Sequence, residues 1–232
     1  VALLRDRTAL VVGGAGGIGR AIAEAYLREG AEVVVADRAG ADVRIDVTDD
    51  ASVRTAVAGA ERALGRIDVL VNSAGILTEA PLLEMDPATW AETIAVDLTG
   101  VFLCCRRVVP GMVERGFGRV INIASQLGIK GGPALSHYAA AKAGVIGFTK
   151  SLALEVAGHG VLVNAIAPGP IETPMVAGIT ADWKAAKRAE LPLGRFGTPE
   201  EVAPTAVLLA GEPGGNLYVG QTLGPNAGDV MP

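Results

Sequence analysis

The chain has 232 residues, half of them hydrophobic, with 31 glycines and a formal charge of −5. That length supports one domain with a sizeable core, and the hydrophobicity excludes a disordered chain. The negative balance and the lack of a Lys/Arg block argue against nucleic acid as a partner, because phosphates need neutralising cations.

The first ten residues, VALLRDRTAL, hold too short an apolar stretch for a secretory segment and enter a strand pattern at once. No unbroken apolar run approaches the roughly eighteen residues that cross a bilayer, so no membrane partner is expected. Strand-like runs follow at 8–12, 32–36, 67–71, 119–124 and 161–167, with helical patterns at about 17–29, 50–64, 87–115 and 136–158. Gly30, Gly65, Gly116 and Gly158 stand where left-handed C-caps would close those helices. Strand alternating with helix, the strands apolar on both faces, predicts an α/β protein with a parallel sheet covered on both sides.

Between Asp37 and Asp46 lie only eight residues, RAGADVRI, and they must contain the third strand. A parallel crossover usually takes a dozen residues or more, so the covering helix here is reduced to a loop. Another helix opens at TPEEVA, with Thr198 as N-cap and Pro199 in the first turn, and LYVGQTL supplies a last short strand. No repeat or linker divides the chain, which predicts a single domain over 1–232. Cys104 and Cys105 are the only cysteines and are adjacent in a helical pattern. They exclude a disulfide framework and a zinc site; no metal is expected, and a reducing cytoplasm is. Arg106 and Arg107 read as the solvated face of the same helix.

The segment VVGGAGGIGR joins the first strand to the first helix. Its glycines satisfy G-x-G-x-x-G through Gly14, Gly16 and Gly19, and G-x-x-x-G-x-G through Gly13, Gly17 and Gly19. Absent side chains there let backbone N–H groups and a helix N-terminus approach a pyrophosphate; a crowded strand-to-helix turn is the plainer alternative. Asp37 ends the second strand eighteen residues after Gly19. A carboxylate at that place accepts from a ribose 2′-OH and repels a 2′-phosphate, which favours NAD over NADP. Arg38 beside it argues the other way. Asp46 either accepts from an adenine amino group or begins a turn.

In HYAAAK, Tyr138 and Lys142 are four residues apart and share one helix face. A tyrosine with an ordinary pKa of about 10 is a poor base at neutral pH, and a nearby ammonium favours its phenolate. Thirteen residues earlier, Ser125 follows a strand, at the sheet edge where open α/β folds bind ligands. His137 faces about 100° away from Tyr138 and reads as a surface or helix-start residue.

Taken in order, Gly13-x-x-x-Gly17-Ile18-Gly19, Asn72-Ser73-Ala74-Gly75, Ser125, Tyr138-x-x-x-Lys142 and the Pro168-Gly169 turn resemble the short-chain dehydrogenase/reductase family over nearly the whole chain. The resemblance implies a single-domain Rossmann-type doubly wound sheet of about seven strands. It implies Tyr138 as general acid/base, Lys142 on the nicotinamide ribose, and Ser125 on the substrate oxygen. Gly13, Gly17, Ile18, Gly19, Asp37, Asp46, Val47, Asn72, Ala74, Gly75, Pro168, Gly169, Ile171 and Thr173 would hold the cofactor, together with Tyr138 and Lys142. Val12 stands where the family usually has Thr, and Ser73 where it usually has Asn. Asp97, in AVDLTGVF, occupies the place of a catalytic Asn; it reads as a member of the proton relay that would alter the helix and stabilise Lys142 as a cation if within reach.

The stretch 169–201 is long for a connection and carries a helical piece around Trp183, as lids do. Met175, Val176, Ile179 and Trp183 would close over a small-molecule alcohol or ketone, with Gln126 and its neighbours as the opposite wall. Lys130, Lys184, Lys187 and Arg188 read as solvated, which favours a neutral or thioester-linked ketone over a small keto acid. The helix at 136–158 is apolar around much of its girth and needs a second partner, a role the resemblance gives to another subunit of a homotetramer. The reading is an NAD(H)-dependent oxidoreductase interconverting a secondary alcohol and a ketone. A 3-oxoacyl-thioester reductase is the alternative, and a non-catalytic dinucleotide sensor or scaffold the second.

Overall fold

Five consecutive buried residues, Thr8–Val12 (β1), start the molecule with a strand that has no solvent face. Leu10 and Val12 point into one apolar cluster, Ala9 and Val11 into another on the opposite side. That alternation requires helices on both faces. The computed structural model describes residues 2–178 and 180–231. In it, β1 is followed by α1 (Gly17–Arg28), β2 (Glu32–Asp37), β3 (Val43–Arg44), α2 (Asp50–Leu64) and β4 (Val69–Asn72). Then come α3 (Pro87–Ile94), a π-helical turn (Ala95–Thr99), α4 (Gly100–Arg115) and β5 (Gly118–Ile123). The chain closes with α5 (Leu127–Lys130), α6 (Ser136–Val156), β6 (Val161–Ile166), α7 (Ala181–Glu190), α8 (Pro199–Ala210) and β7 (Thr222–Leu223).

The sheet has seven parallel strands in the order β3-β2-β1-β4-β5-β6-β7. Strand order reverses between β1 and β4, the switch point at which such sheets open a crevice. Helices α1 and α8 cover one face; α2, α4 and α6 cover the other. This is a single Rossmann-like domain, as the sequence predicts, and β2 passes to β3 through a loop with no helix.

Local chemistry sets the boundaries. Asp49 accepts from Ala51 N–H and caps α2, and Asp86 does the same for Ala88 ahead of Pro87. Thr198 and Glu201 form a reciprocal capping box at α8. Gly158 is not the C-cap of α6. A 3₁₀ turn, Ala157–His159, prolongs the helix, and Gly160 at φ 77° makes the reversal. A Cβ on Gly160 would lie 2.2 Å from the Gly116 carbonyl oxygen, so only glycine fits that close pass. By length and composition alone the continuous helix Pro87–Arg115 could cross a membrane, which the search for unbroken apolar runs missed. Here it buries Val101, Cys104, Cys105, Val108 and Met112 in the core. Arg107 is not simply solvated, since it pairs with Asp50 at 2.5 Å.

Candidate active site

Parallel strands end together, so the loops after β1, β2, β3, β4, β5 and β6 gather along one edge of the sheet. They line one cavity of about 1110 Å³. Gly13, Gly17 and Ile18 enter it from the glycine turn, Asp37, Asp46 and Val47 from the ends of β2 and β3, and Ala74 and Gly75 from the end of β4. Ser125 and Gln126 follow β5; Pro168, Gly169, Ile171 and Thr173 follow β6; Met175 and Trp183 come from the long connection between β6 and α8. Tyr138 and Lys142 project from α6. The lid position Ile179 lies outside the described residues.

The glycine turn suits a dinucleotide. Around Gly16 nothing lies within 4 Å of where a Cβ would stand, so its backbone faces open space. Helix α1 begins just after it with no side-chain cap, leaving its first N–H groups free for a phosphate. Gly13, at φ 76°, would place a Cβ 2.3 Å from Ala74 N and is needed for the close pass of the β1 and β4 ends. Two expected cofactor residues do not reach the cavity. A Cβ on Gly19 would lie 2.2 Å from the Gly13 carbonyl oxygen, so this glycine serves the packing of α1 behind the turn. The Asn72 side chain turns into the core, donating to Asn122 Oδ1 at 2.9 Å and to Cys105 Sγ at 3.4 Å.

At the end of β2 the Asp37 carboxylate accepts from Ala15 N–H at 3.1 Å and Arg38 N–H at 2.7 Å. It therefore braces the glycine turn as well as lining the cavity. Asp46 borders the cavity and forms a turn: its Oδ1 accepts from the Thr48 N–H at 2.9 Å and hydroxyl at 2.7 Å. Those bonds hold its carboxyl below the ordinary value.

Ser125, Tyr138 and Lys142 are each less than a tenth exposed, and Asp97 is fully buried. Lys142 Nζ donates to the Ile123 carbonyl at 3.1 Å and pairs with Asp97 Oδ2 at 3.1 Å. The same ammonium lies 5.5 Å from the Tyr138 ring centroid. Asp97 Oδ1 accepts from Ile76 N–H at 2.8 Å. The carboxylate thus reaches the lysine, and Asp97 sits in the π turn. Gly75 leaves room for the pair: a Cβ there would meet Asp97 Oδ2 at 3.0 Å and Lys142 Nζ at 3.4 Å.

Electrostatics differ from the simple expectation of a lowered tyrosine pKa. Burial pushes the Tyr138 hydroxyl above its ordinary value and Asp97 adds to this, while Lys142 and the Ser125 hydroxyl pull the other way without prevailing. For Lys142, burial favours the neutral amine, but Asp97 and Tyr138 outweigh it and the ammonium is held above its usual range.

His137 is fully buried, which corrects the surface reading. Its Nε2 lies 3.0 Å from Thr78 Oγ1, joining the start of α6 to the loop after β4. Lys130 and Lys187 are not solvated either. Both meet Asp229, at 2.8 and 2.9 Å, and Gln126 donates to the other oxygen of the same carboxylate. Lys184 and Arg188 pair with Glu172. The Asp229 cluster unites three distant segments and has no spacing signal in the sequence. Among the described residues no group of His, Cys, Asp and Glu is arranged to hold a metal ion. Both cysteines are free and buried, and burial pushes the Cys104 thiol up to about 12.

Comparison with known proteins bears on this arrangement. A family model described as Enoyl-(Acyl carrier protein) reductase matches residues 13–228. The chain is 39% identical to a 3-oxoacyl-[acyl-carrier-protein] reductase of Thermotoga maritima, over 98% of this chain and 99% of that one. It is 42% identical to the cis-4-hydroxycyclohexanecarboxylate dehydrogenase of Sinomonas cyclohexanicum, over 96% of each. A solved short-chain type dehydrogenase/reductase from Mycobacterium marinum superposes with a TM-score of 0.94 at 32% identity, covering 100% of this chain and 98% of that one. A glycine-turn crevice at the strand-order switch point and a buried Ser-Tyr-Lys group on a seven-stranded parallel sheet, with likeness of this extent, place the chain in the short-chain dehydrogenase/reductase family of oxidoreductases.

Proposed function

We propose that the protein is an NAD(H)-dependent oxidoreductase that interconverts a secondary alcohol and a ketone. The observation that carries this is the meeting of Ser125, Tyr138 and Lys142 in one cavity with the glycine turn and Asp37. A bound nicotinamide dinucleotide supplies the hydride donor or acceptor. In ketone reduction, hydride adds to the carbonyl carbon and the Tyr138 hydroxyl gives its proton to the carbonyl oxygen, so that one hydride and one proton make the alcohol. Oxidation runs the same bonds backward. Ser125 positions the substrate oxygen, and the Lys142 ammonium holds the ribose and stabilises the phenolate left on Tyr138. Gly13, Gly17 and Thr173 border the phosphate end of the site, and Asp37 the adenosine ribose, where its charge favours NAD over NADP.

A second reading has support of its own. Reduction of a 3-oxoacyl thioester is the activity named for the Thermotoga maritima relative. The other named relative acts on a hydroxycyclohexanecarboxylate. Both transformations use the same Tyr138 step and differ only in what the lid covers. Trp90 and Phe102 on α3 and α4, and Leu154 on α6, are exposed apolar side chains. They suit burial between subunits of a homotetramer in the cytoplasm.

The test is a panel of alcohols, ketones and 3-oxoacyl thioesters, each with NAD(H) and NADP(H), followed by nicotinamide absorbance. Tyr138→Phe should abolish turnover and keep dinucleotide binding. Undiminished turnover in that variant would sink the catalytic assignment.

A further inference from the structure

We infer that Asp97 is a positioning residue that acts as a fixed counter-charge to Lys142. By offsetting part of the ammonium's pull, it joins burial in leaving Tyr138 holding its proton at neutral pH, so that the site favours ketone reduction and oxidises alcohols better under alkaline conditions. The inference rests on the proposed roles of Tyr138 and Lys142.

Geometry carries it. Asp97 Oδ2 stands 3.1 Å from Lys142 Nζ, and both side chains are almost wholly buried, at 0% and 5% exposure. A carboxylate so close to the ammonium, and so shielded from water, offsets part of its field at the phenol, where a lone lysine would act as a full cation. The other Asp97 oxygen is fixed by Ile76 N–H at 2.8 Å. A fully buried carboxylate held at both oxygens has no outlet to solvent, so it anchors the lysine and does not relay a proton onward. The π turn and the bare Gly75 make the room for this contact.

Other charges around the cavity are spread along it: Asp37, Arg38 and Asp46 by the glycine turn, Glu79 and Glu92 after β4, and Lys130, Lys187, Glu190 and Asp229 toward the lid. His137 precedes the tyrosine on its own helix and turns toward Thr78. Those that act on the phenol are Lys142 and Asp97, and burial acts in the same sense as Asp97. The overall equilibrium belongs to the substrate and is untouched. What Asp97 alters is the rate of each direction at a given pH, because oxidation needs the phenolate and reduction the phenol.

Two measurements on the wild type, Asp97→Asn and Asp97→Ser test this. The first is a tyrosinate absorbance titration of the cofactor-free protein, with Tyr138→Phe as the blank; only three tyrosines are present. The second is the pH profile of turnover in both directions. Removing the carboxylate should move the Tyr138 titration and the rising limb of oxidation to lower pH, so that oxidation relative to reduction at neutral pH rises about three- to tenfold. Profiles that superimpose on the wild type, or move to higher pH, overturn the proposal. So does loss of turnover in both variants when they still fold and bind dinucleotide, since the carboxylate itself would then be required. Should the wild type turn over nothing, the proposed function fails, while the cofactor-free titration still decides the role of Asp97.

Discussion

Lys187 on α7 and Asp229 near the C-terminus meet at 2.9 Å, and Lys130 reaches the same oxygen at 2.8 Å from the opposite wall. One carboxylate, only 7% exposed, therefore ties α7 to the opposite wall of the cavity. Asp229→Ala leaves the Lys130 ammonium and the Gln126 amide without this acceptor, and Lys187 with Glu190 alone at 3.0 Å. The expected result is a several-fold rise in substrate KM with a smaller change in kcat, and faster proteolysis of the 174–195 segment. Burial alone would raise the Asp229 pKa, but Lys130, Lys187 and Gln126 outweigh it and the net shift is downward from 3.8. A depressed carboxyl stabilises the latch above that unfolded value and ceases to do so as pH falls through the lower folded one. Proteolysis of the lid should accordingly accelerate only on strong acidification.

Asp37 braces the glycine turn and, in the proposed function, disfavours a 2′-phosphate; its substitution should show both. Asp37→Ser removes the charge that disfavours a 2′-phosphate, so the NAD to NADP preference should fall about tenfold or more, equivalent to about 1.4 kcal/mol. It also removes the acceptor for Ala15 N–H at 3.1 Å, which loosens the glycine turn. KM for NAD should rise for that reason, by more than repulsion alone accounts for. Initial-rate measurements with both dinucleotides check the ratio and the absolute values together.

The space beside Asp97 is a sharper probe. Gly75→Ala puts a methyl group 3.0 Å from Asp97 Oδ2 and 3.4 Å from Lys142 Nζ, tighter than ordinary van der Waals contact. The ion pair has to give, and turnover should drop about tenfold, a cost near 1.4 kcal/mol in the transition state. Thermal stability should change little by comparison. A variant with full turnover would show that the pair has slack.

Much of this was legible in the sequence because it is local. The Tyr138–Lys142 spacing, the glycine turn and the cap at Thr198 depend on residues within a few positions of each other, where helix and turn geometry dictate the outcome. The short β2–β3 link was legible for the same reason: eight residues leave no room for a helix. What sequence patterns missed is tertiary. Asn72 faces the core because Asn122 and Cys105 wait there, and His137 is buried because a loop some sixty residues upstream brings Thr78 against it. Lys130 and Lys187 looked solvated because their shared partner lies far along the chain. The direction of the Tyr138 shift depended on burial and on the 3.1 Å reach of Asp97, neither of which a spacing can supply.

Behind the site, Asn122 bridges Asn72 and Thr149 within the sheet–helix core. Fully buried, it accepts from Asn72 Nδ2 at 2.9 Å and donates to Thr149 Oγ1 at 2.9 Å. Asn122→Ala deletes both bonds at once, leaving Thr149 Oγ1 without that donor and Asn72 Nδ2 with only the weak Cys105 Sγ acceptor at 3.4 Å, where water cannot reach. Each stranded group costs about 1–3 kcal/mol, so a loss of about 2–4 kcal/mol in unfolding free energy is expected from denaturant melts. The chain runs from β4 through β5 to α6, the helix that carries Tyr138, so turnover should suffer as well. Asn122→Asp separates the two effects. It keeps the acceptor for Asn72 but loses the donor to Thr149 and buries a charge, so it should destabilise at least as much as alanine. If Asn122→Ala melts like the wild type, the bonded chain contributes no net stability, and the apolar packing of the core holds unaided.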